Sequence, residues 1–329
     1  MEEMPTFSQL KKALEELRDL LRKEENGEVP GFVDGFKRKG GVVELTLPKD
    51  MKIAVIGDIH GDYETFSKIL EELENSEVVK RGVLITLGDY IDRGPPEGQI
   101  LLLYKLSELK KEMKTRFIML RGNHEPPSWP VPEPHDYPWA LKELYGYERG
   151  EELYSLSREV FNVMPHAVVL KEVALLVHGG PPTQVESSDV FSYLAYNRDV
   201  EVLKEILWND PSDAIEQRVQ SPRGVGYLWG SSITEKVLSL LGVKFIVRGH
   251  EPAYYGFKTN HEDKVFTLFS RLGSPYYNER AAFLTCSVDE FEKDPKKCVV
   301  YVTSSGLFHC YENKEGKKKK KEGKKRKKT

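Results

Sequence analysis

Four of the eight histidines in this 329-residue chain stand in one repeated context. His60, His124, His178 and His250 each follow a short apolar run, in Gly57-Asp58-Ile59-His60-Gly61, Arg121-Gly122-Asn123-His124-Glu125, His178-Gly179-Gly180 and Arg248-Gly249-His250. A fifth turn, Gly88-Asp89-Tyr90-Ile91-Asp92-Arg93-Gly94, brings carboxylates without a histidine. Carboxylate, amide and imidazole donors without thiolate suit Mn, Fe or Zn rather than a cysteine-rich structural zinc site. Asp58, His60, Asp89, Asn123, His178 and His250 are more donors than one ion needs, and a carboxylate can bridge two. The expectation is a centre of two divalent ions, Mn first, with Fe or Zn as alternatives. Two ions roughly 3.5–4 Å apart would hold a water and lower its pKa toward about 7, giving a hydroxide nucleophile.

The arginines select the substrate class. Arg93, Arg121, Arg223 and Arg248 share turns with the donors or lie in a glycine-rich turn of their own, Arg223-Gly224-Val225-Gly226. A guanidinium fork matches phosphate oxygens, and several of them would spread the charge of a phosphoryl transition state. His124, next to Asn123, is placed to protonate a leaving alkoxide. It needs a carboxylate to orient it and raise its pKa, and Asp92 is the candidate. Asp210, in Trp208-Asn209-Asp210, either ends a helix or supports a ligand histidine.

The elements that must position these turns alternate. Ile53–Ile56, Val83–Leu87 and Phe117–Leu120 read as buried strands. Helical periodicity marks residues from Tyr63 to Leu73 and from about Glu97 to Glu112. The layout is βαβαβ, with chemistry at the C-terminal strand ends, where such sheets bind ligands. Six prolines in Pro126–Pro138 predict a stiff irregular loop. Phe161–Leu170 and Val173–Val177 read as two strands joined by a turn, and a mostly helical region runs up to Trp208. Further helix is expected over Ile233–Leu241, and strands over Phe245–Val247, Val265–Ser270, Ala281–Val288 and Cys298–Thr303. Before the first motif, Leu10, Leu14, Leu17 and Leu21 mark an amphipathic helix packed on the body, and Val42–Leu47 a strand.

The composition, 39% hydrophobic and 31% charged, suits a soluble globular chain with a full core. No apolar stretch approaches membrane-span length, and the acidic start, Met1–Pro5, lacks a signal-peptide core, so a cytoplasmic protein is expected. Cys286, Cys298 and Cys310 have neither zinc-site nor framework spacing, and three reduced thiols are expected. The net charge of −3 conceals a split: residues 311–329 hold eleven Lys/Arg and three Glu, or +8, against −11 elsewhere. Such a basic tail is a solvated appendage, or a contact for nucleic acid or an acidic partner. The expected organisation is an N-terminal helix and strand over 1–50, a catalytic domain over 51–311 and the tail over 312–329. His135, His166, His261 and His309 read as ordinary surface or core residues, and Tyr227 and Trp229 as core.

Taken in order, GDIHG, GDYIDRG, RGNHE, HGG, RGVGYLWG and RGH resemble the phosphoprotein phosphatase family of metal-dependent serine/threonine phosphatases, from about Lys52 to Val288. The small size resembles prokaryotic or archaeal members. The resemblance implies an α/β, calcineurin-like metallophosphoesterase fold with a central β-sandwich flanked by helices. It implies Asp58, His60 and Asp89 on one ion, Asp89, Asn123, His178 and His250 on the other, and His124 with Asp92 as the acid dyad. Arg93 and Arg223 would bind phosphate with support from Arg121, on phosphoserine and phosphothreonine proteins as substrates. The segment Phe269–Tyr277 stands where the family carries a tyrosine over the site, so Tyr276 or Tyr277 would take that place. Hydrolysis of dinucleoside polyphosphates or other small phosphoesters is the alternative, and a nuclease on the same core a further one.

Overall fold

A computed structural model describes residues 3–29, 31, 35–185 and 200–309. Its elements run α1 (Phe7–Glu25), β1 (Phe36–Lys39), β2 (Val42–Leu45), β3 (Lys52–Ile56), α2 (Tyr63–Asn75), α3 (Val78–Arg81), β4 (Val83–Thr86), α4 (Pro96–Met113), β5 (Phe117–Met119), α5 (Tyr137–Tyr145), α6 (Tyr147–Val163), β6 (Ala167–Leu170) and β7 (Ala174–Val177). Then follow α7 (Val200–Trp208), β8 (Asp210–Pro211), β9 (Arg218–Gln220), β10 (Tyr227–Trp229), α8 (Ser231–Leu241), β11 (Phe245–Arg248), β12 (Phe257–Asn260), β13 (Val265–Leu268), β14 (Ala281–Ser287), α9 (Val288–Lys293), β15 (Val299–Thr303) and β16 (Gly306–His309). One sheet has the order β1-β2-β6-β7-β11-β13-β12, a second β16-β15-β14-β3-β4-β5, and β8-β10-β9 form a small third.

Period-two alternation explains why the two large sheets face each other. Ile53 and Val55 of β3, Ile85 of β4, Val168 and Leu170 of β6 and Val247 of β11 share one core between the sheets. The residues between them point outward. Ala54 and Ile56 join a cluster with Leu10, Phe66, Leu103 and Phe161 from α1, α2, α4 and α6. On the opposite face, Val169 and Leu175 pack with Ile206 and Val237 from α7 and α8. The molecule is helix, sheet, sheet, helix, the expected β-sandwich flanked by helices. The βαβαβ reading also holds, since β3, β4 and β5 run parallel.

The first helix packs as its periodicity predicts. Thr6 and Gln9 form a reciprocal cap at its start. Leu10, Leu14, Leu17 and Leu21 are at most 2% exposed, and burial of each contributes about 1.5–3 kcal/mol. At its far end Glu24 takes the buried Lys110 ammonium at 2.6 Å, and Lys110 also donates to Phe117 O at 2.6 Å, which ties α1 to the end of α4 and the start of β5.

Three expectations need correction. Phe161–Val163 continue α6 rather than opening a strand, because Val160 and Phe161 extend a buried helical stripe begun by Leu153 and Leu156. The proline-dense segment is irregular only to Asp136; Pro138 sits in the first turn of α5, where a missing N–H is harmless. Cys286 and Cys298 are not free thiols but a disulfide between the end of β14 and the turn before β15, with Cα atoms 5.3 Å apart. Cys310, the expected basic tail and the stretch 186–199 before α7 lie outside the described residues.

Candidate active site

The site forms where strands of both sheets end. β3, β4 and β5 run out into Asp58/His60, Asp89 and Asn123/His124, while β7 and β11, parallel neighbours in the other sheet, run out into His178 and His250. All six expected metal donors come together there, none more than 6% exposed. Tight turns deliver them: His60, Asp89, Asp92, Arg93 and His250 all have left-handed backbones, with φ between 46° and 69°. Five such non-glycine residues in one site mark strain held by its surroundings. The glycines admit close approach. A Cβ on Gly122 would lie 2.3 Å from the backbone N of Asp89, and one on Gly249 2.3 Å from Asp58 Oδ1.

Hydrogen bonds decide which atoms of the histidines are bare. His60 Nδ1 donates to Ile91 O and His178 Nδ1 to Leu87 O, each at 2.8 Å. A carbonyl oxygen only accepts, so each neutral ring keeps its lone pair on Nε2. Those two lone pairs face opposite oxygens of Asp89, at 3.4 Å for His60 and 3.3 Å for His178. Asn123 Oδ1 lies 2.9 Å from His178 Nε2 and 3.0 Å from His250 Nδ1. In this orientation the amide oxygen meets acceptors, and rotating the amide would turn its N–H toward them. His250 Nε2 is buried without a hydrogen-bond partner.

Imidazole lone pairs turned toward carboxylate oxygens are what a cation resolves, and a backbone carbonyl on the far nitrogen is the usual support of a metal-bound imidazole. The donor set therefore fits divalent ions. Two groups sharing Asp89 have their ligand atoms within 4.8 Å of one another: His60, Asp89 and His124, and Asp89, His178 and His250. Asp58 lies outside both, its Oδ1 accepting the His250 N–H at 2.9 Å. Burial pushes Asp58 up to about 7, and burial with the neighbouring Asp58 and Glu125 pushes Asp89 well above the carboxylate range. Burial holds His60, His178 and His250 well below the ordinary imidazole value, hence neutral and able to ligate.

His124 Nδ1 lies 2.6 Å from Asp92 Oδ2, the expected pair. Asp92 is held at about 2: burial would raise it, but hydrogen bonds from His124 and His135 outweigh that. The expected upward shift of His124 is not realised. The Asp92 contact acts upward, but burial outweighs it and leaves His124 at about 4. Glu125, the last residue of its motif, is fully buried and accepts the N–H groups of Asp89 and Tyr90 at 2.8 Å and of Gly122 at 2.9 Å. It locks two motif turns together.

The arginines divide. Arg93 and Arg223 line the pocket beside Asn123, His124 and His250. Arg121 does not: its guanidinium donates to Glu125 O at 2.6 Å and Asn162 Oδ1 at 3.2 Å, a structural tie rather than a phosphate contact. Arg248 is fully buried and bonds Asp210 Oδ1 at 2.8 Å, while Arg223 Nε bonds Asp210 Oδ2 at 2.7 Å. Asp210 thus braces arginines; it stands 3.8 Å from His250 Nε2, beyond hydrogen-bond reach. Between the two tyrosines the geometry is decisive. Tyr276 stacks on His60 at 5.9 Å and its hydroxyl bonds Arg93, whereas Tyr277 is 73% exposed. Arg271, which no motif marked, holds this arrangement by donating to His60 O at 3.0 Å and to Ser274 O. Trp229 is core as expected, and Tyr227 is partly exposed. His135, read as ordinary, lies 2.8 Å from Asp92 Oδ2.

Residues 51–254 match the family model of calcineurin-like phosphoesterases. A Caenorhabditis elegans chain carrying a serine/threonine-protein phosphatase name is 30% identical over 244 residues, 71% of this chain and 61% of that one. The serine/threonine-protein phosphatase 6 catalytic subunit of the same organism is 29% identical over 244 residues, 73% of this chain and 69% of that one. A solved Saccharomyces cerevisiae serine/threonine phosphatase with similarity to human PP5 shares the fold with a TM-score of 0.70, covering 93% of this chain and 90% of that one at 20% identity. The chain belongs to the calcineurin-like phosphoesterase family, and the two curated relatives named above carry serine/threonine-protein phosphatase names.

Proposed function

We propose that this protein hydrolyses phosphate monoesters on phosphoserine and phosphothreonine residues of proteins. The observation that carries the reading is the pair of bare imidazole nitrogens on opposite oxygens of Asp89, beside the His124–Asp92 pair and two pocket arginines. When bound, two divalent ions, Mn before Fe or Zn, would supply an acidified water as nucleophile and Lewis-acid charge on the phosphoryl oxygens. Asp58 and His60 would serve one ion, Asn123, His178 and His250 the other, and Asp89 both. Arg93 and Arg223 clamp the phosphate, and their fork geometry sets the ester bond in line. In its imidazolium form, which the Asp92 contact favours against burial, His124 gives the Nε2 proton to the leaving alkoxide and is left as the neutral ring with Nδ1–H held by Asp92. Tyr276 steadies Arg93 from above.

The test is one panel. Protein loaded with Mn²⁺ receives a phosphoserine peptide, a dinucleoside tetraphosphate and single-stranded DNA, beside Asp89→Ala. Turnover of the peptide, lost in Asp89→Ala, is expected. Cleavage of the tetraphosphate alone would overturn the reading, and so would full activity in Asp89→Ala. Metal analysis of the purified protein identifies the ions. Among the described residues no helix is long and apolar enough to cross a membrane.

A further inference from the structure

The last residues of the proline-dense segment do something no motif announces. His135 Nδ1 lies 2.8 Å from Asp92 Oδ2, the same oxygen that His124 Nδ1 approaches at 2.6 Å. The other nitrogen of His135 lies 2.8 Å from the hydroxyl of Tyr154, on α6. Next in sequence, the Asp136 carboxylate accepts the Arg93 N–H at 3.2 Å and the Gln99 amide at 3.0 Å. Next again, the Tyr137 N–H donates to Asp92 Oδ1 at 2.9 Å. Three consecutive residues therefore grip the two side by side, Asp92 and Arg93, whose backbones are left-handed at φ 65° and 62°.

The donor directions follow from elementary chemistry. A carboxylate only accepts, so His124 and His135 both present Nδ1–H to Oδ2. With Nδ1 turned to Asp92, the His135 ring meets the Tyr154 hydroxyl through Nε2. The bonds of His135 and His124 both point at Asp92, so the arm from Tyr154 through His135 and the arm from His124 meet at the carboxylate. The carboxylate cannot rotate without breaking the His135 bond at one oxygen and the Tyr137 bond at the other. What remains free on His124 is Nε2, the atom that must face the leaving group.

We infer that His135 is a positioning residue for the general acid: supported by Tyr154, it fixes the Asp92 carboxylate and through it the His124 ring. The inference rests on the reading of His124 as the proton donor. It gives the unusual segment 126–136 a task besides forming a wall of the pocket with Pro130, Val131 and Pro132.

The experiment compares His135→Ala, His135→Asn, Tyr154→Phe and His124→Asn, all Mn²⁺-loaded, on a phosphoserine peptide and on nitrophenyl phosphate, whose leaving group departs without a proton. His135→Ala is expected to lose roughly 10–100-fold in kcat on the peptide, a fraction of what a general acid contributes. Its KM should stay within about twofold, and its kcat on nitrophenyl phosphate should fall about threefold or less. His135→Asn puts an amide N–H near the Nδ1 position and should restore most of the peptide rate; Tyr154→Phe should show a weaker form of the alanine pattern. Equal losses on both substrates in His135→Ala and Tyr154→Phe, a loss confined to KM, or no rescue by asparagine would overturn the inference. His124→Asn separates the two readings. If it shows the leaving-group-dependent loss and the His135 variants do not, the positioning role alone falls. If it shows none, the general-acid reading falls and the inference with it.

Discussion

Gly122→Ala tests whether the placement of Asp89 governs the site. The φ of Gly122 is not left-handed, so alanine brings no backbone penalty and the effect is steric alone. The added Cβ would sit 2.3 Å from the Asp89 backbone N, 2.3 Å from its Oδ1 and 2.8 Å from Glu125 Oε2. Ordinary contact lies near 3.5 Å, so Asp89 or the Gly122 turn must retreat by about 1 Å. Neither moves freely: Glu125 grips the N–H groups of both, and Asp89 Oδ1 also accepts the His124 N–H at 2.9 Å. Overpacking of this kind costs about 1–3 kcal/mol of stability. A shift near 1 Å in a group that orients reactants lowers turnover on the order of 100-fold. Asp89 faces the histidines of both proposed ion sites, so the loss should fall alike on the phosphoserine peptide and on nitrophenyl phosphate, with weaker Mn²⁺ binding by calorimetric titration. Gly146→Ala is the control: its φ of 83° makes it strained, but nothing lies within 4 Å of the new Cβ, so it should lose stability and keep its rate. A Gly122→Ala protein that binds Mn²⁺ normally and turns over within twofold of the parent would refute the assignment of Asp89 as the shared ligand.

Asp210→Asn removes the charge shared by Arg223 and Arg248; the phosphate clamp should loosen, with KM rising about 5–10-fold and kcat falling less, read from initial rates. Asp92 has a folded pKa of about 2 against an ordinary value of 3.8, so its contribution is present above pH 4 and lost as pH falls toward 2. That is about 2 kcal/mol, and urea titrations of chelator-treated protein between pH 5 and pH 2 should show a steeper loss in the parent than in Asp92→Asn. Replacing both Cys286 and Cys298 by serine should lower stability by about 2–3 kcal/mol, since the bridge closes a short loop, without changing kcat; thermal melts and rates check both.

Much of the site was legible because its pieces are local. A short apolar run ending in a glycine-containing turn with Asp, Asn or His announces both a buried strand and what it delivers, which is how Asp58, His60, Asp89, Asn123, His178 and His250 could be named. The parallel arrangement of β3, β4 and β5 followed from the same runs. What was not legible depends on where long side chains go. Arg121 and Arg223 look alike in sequence, yet one guanidinium ties down Glu125 and the other reaches the pocket. His135 stands 43 residues from Asp92 in a segment with no periodicity, so only the folded loop brings them together. Phe161–Val163 carry strand-forming residues, but they lie on the buried stripe of a helix already under way. Cys286 and Cys298 meet only because β14 and β15 are antiparallel neighbours joined through α9.

The division of donors between the two sheets has a thermodynamic consequence. Asp58, His60, Asp89 and Asn123 belong to one layer, His178 and His250 to the other. Any ion held by both layers fastens them edge to edge, so metal activity and unfolding become linked equilibria. At a free ion concentration 100 times the dissociation constant, each such site adds about 2.7 kcal/mol. Chelation would then release this rim of the sandwich first, and amide exchange at the ends of β7 and β11 would respond to trace metal before any change in the helices that cover the sheets.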